Sequence, residues 1–181
     1  MYFQTTHYSP VGTITLACDG SAEHLVGLWT EGQKYHGDTL PEVPESRDSL
    51  AIFDRARDWL DRYFAGKQPA IDELTLAPIG GEFRQGVWAI LREIPYGQVI
   101  TYGEIAKQMA TKAGKERMSS QAVGGAVGHN PISIIIPCHR VVGANGSLTG
   151  YSGGVAMKTL LLELEGVDMS RLFVPTKGTA L

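Results

Sequence analysis

The stretch that most constrains this chain is residues 134–142, which read Ile-Ile-Ile-Pro-Cys-His-Arg-Val-Val. An uninterrupted β-branched run is typical of a short strand that is covered on both faces, so the sequence predicts a strand over residues 134–136. Pro137 cannot donate a hydrogen bond to a neighbouring strand, and the strand is therefore expected to end there. Cys138 would then follow the strand end directly, with His139 beside it.

Cys138 is the candidate nucleophile. A thiol reacts at neutral pH as the thiolate, which a neighbouring base or positive charge favours. The alternative is a small buried hydrophobic residue, which is the usual state of a free cysteine. Because adjacent residues of an extended segment point to opposite faces, a bridging water or a third group would be needed to connect Cys138 with His139.

The composition is typical of a globular protein with one large domain or two small ones, since 43% of the 181 residues are hydrophobic. No apolar run reaches the roughly 18–20 residues that span a bilayer. The N-terminus also lacks the basic start and apolar stretch of a signal peptide. Cys18 and Cys138 are the only cysteines, and thiol chemistry requires them reduced. We therefore expect a cytoplasmic protein.

Charge divides the chain into two parts. Residues 1–79 carry 6 Lys and Arg against 12 Asp and Glu, whereas residues 80–181 carry 10 against 7. Such an asymmetry points to a polyanion-binding half, although a solvated basic face gives the same pattern. The basic residues between positions 101 and 145 are Lys107, Lys112, Lys115, Arg117 and Arg140.

Periodicity in the acidic half predicts a small antiparallel sheet and a covering helix. β-forming residues cluster at 2–8, 12–18 and 24–30 around turn signals. Apolar residues then recur at three- and four-residue spacing over 50–64, with Asp48 as the expected N-cap and Gly66 at the end. We assign residues 1–79 to this domain.

Periodicity in the basic half, residues 80–181, predicts a mostly helical domain. Helices are expected over residues 82–94, 104–110 and 121–129, and the last two have the outline of a helix-turn-helix. Three glycines in the 121–129 helix each cost roughly 1 kcal/mol relative to alanine, which suggests that something approaches its backbone closely. The fold class is therefore α/β, of the α+β kind.

Four sequence blocks carry a resemblance to a known family. They are TYGEIA, QAVGGAVGHNP, IIPCHRVV and TGYSGG followed by LLELEG, in this order. Together they resemble the O6-alkylguanine-DNA alkyltransferases, DNA repair proteins that inactivate themselves. The matching residues lie close together over residues 82–166. In the N-terminal part the resemblance consists of the sequence SPVG and the order of a sheet followed by a helix. It implies a ribonuclease-H-like N-terminal domain and a winged helix-turn-helix-like C-terminal domain.

The resemblance implies a set of catalytic roles. Cys138 would attack the alkyl carbon on O6 of guanine and keep the alkyl group as a thioether. His139 would withdraw the thiol proton through a bound water, and Glu165 would orient His139. Asn130 would be the hinge between the recognition helix and the active-site strand. The alternatives without a catalytic role are a surface carboxylate for Glu165 and a helix terminator for Asn130.

The resemblance also implies how damaged double-stranded DNA is bound. The alkylated base must leave the stack, and Tyr102 would assist this and hydrogen-bond the extruded base. Binding is expected through the minor groove, by a monomer, without a cofactor. Further residues expected to contact the base or the DNA are Gln121, Ala122, Gly125, Arg140, Val141, Tyr151, Ser152 and Gly153.

Two features depart from the family pattern. Gln121 stands where better-known members place an intercalating arginine, which predicts weaker base extrusion or DNA affinity but not lost chemistry. Some members bind a structural zinc, whereas the candidates here, Cys18, His7, His24 and His36, lack metal-binding spacing, so we expect no metal.

Methyl or small alkyl transfer from O6-alkylguanine, and from O4-alkylthymine, is thus the leading functional hypothesis. The alternative is a non-catalytic binder of alkylated DNA, but relatives of that kind replace the nucleophile, and Cys138 is present. A sequence-reading transcription factor would need more polar residues along the second helix of the helix-turn-helix. A cysteine hydrolase would need an oxyanion-hole loop, of which the sequence shows no sign.

Overall fold

The computed structural model describes residues 1–177. The chain forms two compact units. The first contains Met1–Gly80 together with Pro131–Ile135, and the second contains Gly81–Asn130 and the chain from Ile136 onward. Five residues in the middle of the basic half therefore belong to the first unit.

The first unit is built on a four-stranded sheet. Its strands are β1 (Tyr2–Ser9), β2 (Gly12–Asp19), β3 (Leu25–Thr30) and β4 (Glu45–Ser46), in the spatial order β3-β2-β1-β4. The pairs β1–β2 and β2–β3 are antiparallel, and β4 lies parallel to β1. These bounds confirm the three strands predicted from turn signals and β-forming residues.

Helix α1 (Ala51–Phe64) packs on this sheet. Its buried residues follow the predicted spacing and are Ile52, Phe53, Ala56, Trp59, Leu60 and Tyr63. The predicted N-cap is wrong, because Leu50 precedes the helix and no side chain caps it. The Asp48 carboxylate instead accepts a hydrogen bond from the Thr5 hydroxyl at 2.6 Å and pairs with Arg57. A cation and a hydroxyl are better partners for a carboxylate than a single amide.

The second unit consists mainly of helices. These are α2 (Glu82–Arg92), α3 (Tyr102–Lys112), α4 (Ser120–Gly128) and α5 (Val155–Leu164). Two short strands, β5 (Ile100–Thr101) and β6 (Val141–Val142), pair in parallel. The predicted helices are confirmed, with α3 starting two residues earlier than expected. Within residues 1–177 no helix is both long enough and apolar enough to cross a membrane.

Helices α3 and α4 begin at well-formed caps. The Thr101 hydroxyl accepts from the Glu104 amide at 3.1 Å, and the Glu104 carboxylate accepts from the Thr101 amide at 2.7 Å. Ser119 caps α4 by accepting from the Ala122 amide at 3.1 Å. In the core, the Trp88 indole donates to the Ala126 carbonyl at 2.9 Å and ties α2 to α4. These contacts fix where α4, the predicted recognition helix, lies in its unit.

The strand predicted over residues 134–136 is wrong. The Ile135 amide donates to the Ser133 carbonyl at 2.8 Å, which makes a three-residue γ-turn around Ile134. Ile134 has φ of 69°, a left-handed conformation that β-branched residues seldom adopt. The isoleucines are almost completely buried. The apolar run thus reports burial correctly, but buried apolar residues are compatible with a turn as well as with a strand.

Candidate active site

The nucleophile predicted from the sequence lies on a short turn. The Cys138 amide donates to the Ile136 carbonyl at 2.8 Å across Pro137, whose φ of −82° and ψ of 64° make an inverse γ-turn. A 3₁₀ turn over Cys138–Arg140 follows. Cys138 is only 2% exposed. Its surroundings are polar as well as apolar, because Tyr102, Tyr151 and Lys158 all interact with its charge.

The other cysteine has a different environment. Cys18 is completely buried in β2, and burial, followed by the negative charge of Asp19, raises its pKa to about 11. A thiol with so high a pKa stays protonated at neutral pH and is a poor nucleophile. Of the two cysteines, only Cys138 has neighbours suited to thiol chemistry.

Asn130 holds the backbone just before the nucleophile. Its side-chain amide donates to the Ile136 carbonyl at 2.8 Å. That carbonyl is also the acceptor for the Cys138 amide. Asn130 directly follows the His129 cap of α4, so one side chain links the end of this helix to the turn that presents Cys138. This contact is consistent with the predicted hinge role.

His139 and Glu165 meet although 26 positions separate them. His139 Nε2 lies 2.6 Å from Glu165 Oε1, and both side chains are fully buried. Glu165 directly follows α5, which brings its carboxylate beneath the 3₁₀ turn. With Glu165 accepting from Nε2–H, the basic nitrogen of a neutral imidazole is Nδ1.

Arg140 does not occupy the DNA-contacting position expected from the sequence. It is only 7% exposed, and its guanidinium donates to both Glu165 oxygens, at 2.8 and 3.0 Å, and to the Ile94 carbonyl at 2.6 Å. The family resemblance implied that this charged side chain contacts the base or the DNA. The structure gives that charge a buried carboxylate partner instead, so we withdraw the DNA contact for Arg140.

Glu165 and His139 shift each other's pKa, and the charge of Arg140 acts on both. Burial alone would raise the pKa of Glu165, but the hydrogen bonds and charges of His139 and Arg140 outweigh it and lower this pKa to about 2. Burial lowers the pKa of His139 in spite of the opposing effect of Glu165, and the Arg140 charge lowers it further. At neutral pH the cluster therefore holds an ionised Glu165, a charged Arg140 and a neutral His139.

Two predicted substrate-contacting tyrosines lie next to the nucleophile. The Tyr102 hydroxyl donates to the Thr149 carbonyl at 2.9 Å. The buried Tyr151 hydroxyl has no hydrogen-bond partner among the described residues. Burial, with a smaller effect of the Cys138 charge, raises the pKa of both phenols, so both keep their protons at neutral pH.

The glycines of the loop around Tyr151 allow close approach to these rings. A Cβ at Gly150, where φ is 81°, would lie 2.5 Å from the Tyr102 hydroxyl. A Cβ at Gly153 would lie 2.7 Å from the Tyr151 ring. Ser152 between them is half-buried. The loop therefore needs glycine at both positions in order to keep its close contacts with the two tyrosine side chains.

Val141, expected from the sequence to contact the base or the DNA, already has partners for both of its backbone polar groups. Its amide donates to the Cys138 carbonyl, and its carbonyl accepts from Lys158 Nζ. A carbonyl has two lone pairs. The amide is therefore engaged, and any hydrogen bond from a base would have to go to the second lone pair of the carbonyl.

Lys158 is a site residue that the sequence reasoning missed. It is completely buried, and its amine donates to the carbonyls of Val141 and Thr149, the latter at 2.9 Å. Burial lowers its pKa to about 8, whereas the Cys138 charge raises it. A signal was present, because Lys158 shares the buried face of α5 with Leu161 and Leu162. A lysine on such a face rarely lacks a partner.

The predicted DNA-facing residues of α4 lie at the surface. Gln121, Ala122 and Gly125 are exposed, whereas the opposite face of the helix is buried. Four basic side chains from α3 and the following connector are exposed as well: Lys107, Lys112, Lys115 and Arg117. In the part of the chain that the structure describes, no cluster of three or more His, Cys, Asp or Glu side chains could hold a metal ion.

Two family profiles cover most of the chain. The one described as "6-O-methylguanine DNA methyltransferase, ribonuclease-like domain" matches residues 1–78, and the one described as the DNA binding domain of the same protein matches residues 82–167. These matches confirm the predicted fold class, with a small N-terminal sheet domain and a helical C-terminal domain.

Individual relatives agree with the profiles. The methylated-DNA--protein-cysteine methyltransferase of Methanosarcina acetivorans is 46% identical over 163 residues, covering 87% of this chain and 94% of the relative. The protein of the same name from Haemophilus influenzae is 39% identical and covers 91% and 87%. A crystal structure of Mycobacterium tuberculosis OGT in complex with DNA has a TM-score of 0.76 at 41% identity, over 94% of both chains. This chain therefore belongs to the O6-methylguanine-DNA methyltransferase family.

Proposed function

We propose that this protein repairs DNA by moving a methyl or small alkyl group from O6 of guanine, and from O4 of thymine, onto Cys138. The observation that carries the proposal is the placement of Cys138 beside a buried chain of His139, Glu165 and Arg140. Relatives that share most of the chain are named for methyl transfer from DNA to a protein cysteine.

The proton of the thiol is the first requirement of this reaction. A neutral His139 accepts it at Nδ1 through a bridging water, while Nε2–H stays on Glu165. Arg140 balances the Glu165 charge, which keeps that carboxylate from converting His139 into a permanent imidazolium. The buried cluster thus holds a base that is orientated but still able to take a proton.

The transfer step forms one bond and breaks another. The Cys138 sulfur attacks the alkyl carbon and the carbon–O6 bond breaks, which leaves an anionic guanine. The proton taken up by His139 is then given to that guanine, so that neutral guanine is released. The ammonium of Lys158 lies close enough to interact with the Cys138 charge and favours the thiolate over the neutral thiol. A thioether is a poor leaving group, so each molecule acts once.

The base to be repaired has to reach a buried sulfur. We therefore include extrusion of the base from the duplex, with α4 entering the minor groove and the exposed Gln121 filling the gap. The protonated Tyr102 hydroxyl would transfer its hydrogen bond from the Thr149 carbonyl to the extruded base. The Tyr151 hydroxyl, which lacks a partner among residues 1–177, would gain a hydrogen-bond partner in that base.

The exposed basic residues of α3 and its connector support this binding through phosphates, without sequence preference. A monomer is sufficient for the proposed reaction, because every catalytic group named above comes from one chain. We place the reaction in the cytoplasm, where the thiol stays reduced.

The experiment that separates repair from mere lesion binding is a titration of duplex DNA containing O6-methylguanine with increasing protein. The nucleosides are then released and quantified. Repair predicts that one guanine is restored per protein molecule and that Cys138→Ser restores none. A non-catalytic binder would leave all of the O6-methylguanine in place at any protein concentration.

A further inference from the structure

The backbone just before the active site is anchored on the sheet of the first unit. The Leu28 amide in β3 donates to the Pro131 carbonyl at 2.8 Å, and the Ser133 amide donates to the Leu28 carbonyl at 3.0 Å. Together they form an isolated parallel bridge between Leu28 and Ile132 on the edge of β3. Pro131–Ile135 thus belongs to the first unit, while its flanking residues belong to the second.

A buried glutamine side chain completes this anchor. Gln33 lies in the turn after β3, and its Oε1 accepts from the Thr30 amide at 3.0 Å and from the Thr30 hydroxyl at 3.3 Å. Its Nε2 lies 2.9 Å from Ser133 Oγ, to which it donates. The three residues are 6%, 1% and 0% exposed, in the order Gln33, Thr30, Ser133. A buried polar network in which the groups are hydrogen-bonded to one another strongly favours one geometry.

The anchor ends where the backbone is least relaxed. Ile134 follows Ser133 directly and has φ of 69°. A β-branched residue keeps such a conformation only where its surroundings enforce it, and outliers of this kind cluster at functional sites. Two residues later, the Ile136 carbonyl accepts from both Asn130 and the Cys138 amide. The enforced turn therefore leads directly into the hydrogen bonds that place Cys138.

We propose that Gln33, through Ser133, is a positioning residue for Cys138. The Gln33–Ser133 pair holds one end of the turn and Asn130 holds the other, so that the backbone of Ile134 cannot relax. Without the pair, Ile134 would return to negative φ, and the Ile136 carbonyl and the Cys138 sulfur would move with it. This inference rests on the proposed role of Cys138 as the alkyl acceptor. The turn after β3 would then contribute to the reaction indirectly, by placing the nucleophile.

The test measures transfer rate and DNA affinity separately. Gln33→Met keeps the length of the side chain but loses both polar atoms. At saturating O6-methylguanine duplex we expect it to transfer methyl at least about tenfold more slowly, since small misplacements of a reacting atom are costly. Its dissociation constant for undamaged duplex should stay within about twofold of the parent value, because α4 and the exposed basic residues are untouched.

Four further variants separate positioning from stability. Ser133→Ala should slow transfer like Gln33→Met, and the double variant should be no slower than the slower single one, since both remove one interaction. Gln33→Glu should retain more of the rate, because a carboxylate can still accept from the Ser133 hydroxyl and from Thr30. Ile52→Val, in the core of α1, is the stability-matched control and should transfer at the parent rate.

The outcomes are distinct. Parent protein that gains no methyl group refutes the proposed function itself. The positioning role is wrong if the parent is modified and both Gln33→Met and Ser133→Ala transfer as fast as the parent. It is also wrong if the two variants are slowed no more than a control that has lost the same thermal stability. If Gln33→Met does not fold, the comparison between Ser133→Ala and Ile52→Val decides the question in the same way.

Discussion

The Glu165 carboxylate is the group on which the buried cluster depends, and Glu165→Gln is the perturbation that tests it. The substitution keeps the shape of the side chain but removes its charge, so that the Arg140 guanidinium stays buried without a counter-charge. Removing one partner of a buried ion pair costs about 3–5 kcal/mol. The fall in the pKa of Glu165 from 4.5 to about 2 gives roughly 3 kcal/mol, at about 1.36 kcal/mol per pKa unit. The two figures agree.

Urea unfolding at about pH 7 should therefore show Glu165→Gln to be less stable by about 3–5 kcal/mol, with a melting temperature lower by roughly 6–20 °C. Glu163→Gln, two residues earlier and exposed, is the matched control and should change stability by less than about 0.5 kcal/mol. Transfer to Cys138 should also slow, because His139 loses the partner that orients it.

The pH dependence of this difference has a definite sign. The folded pKa of Glu165 lies below its unfolded value, so its stabilising contribution is complete above about pH 4.5 and is lost as pH falls toward about 2. The stability gap between the parent protein and Glu165→Gln should accordingly narrow below about pH 4.5. A gap smaller than about 1 kcal/mol at neutral pH, or one that widens on acidification, would refute the proposed cluster energetics.

Three other substitutions test separate parts of the site. Lys158→Met removes a buried ammonium but also deprives two carbonyls of a donor, so the urea midpoint should move little. Transfer should slow about tenfold, and transfer at the parent rate would contradict the role of its charge. Gln121→Arg should repair duplex DNA faster than the parent, because it adds a charge and a stacking plane, and a slower variant would contradict this. Cys18→Ala should still accept one methyl group per molecule by mass spectrometry, and loss of that capacity would show that Cys18 takes part.

Much of the fold follows from the local pattern of residues. Alternation and turn signals placed β1 to β3, and three- and four-residue spacing placed α1, because these periods reflect which side of an element is buried. The sequence also predicted α2, α3 and α4. The Ser119 cap of α4 depends on local chemistry, since serine is a preferred N-cap residue. Asp48 was not placed correctly, since its partners, Thr5 and Arg57, lie more than one helical turn away in the sequence.

The parts that could not be predicted depend on tertiary contacts. An isoleucine run indicates burial but does not reveal the turn at Ile134. In our proposal that turn depends on hydrogen bonds from residues distant in the sequence. Arg140 was expected to contact the base or the DNA, because a sequence does not show that Glu165 is its partner. Glu165 itself was identified through the family resemblance. The return of Pro131–Ile135 to the first unit leaves no trace in composition, because four apolar residues and one serine suit either unit.

The central claim is that one sulfur, that of Cys138, receives the alkyl group. The most direct measurement is the intact mass of the protein after incubation with excess O6-methylguanine duplex, followed by peptide mapping. We expect a single gain of roughly 14 Da, from one thioether, located on Cys138 and absent from Cys138→Ala. A protein that keeps its original mass, or one that carries the added methyl group on any other residue, would contradict it.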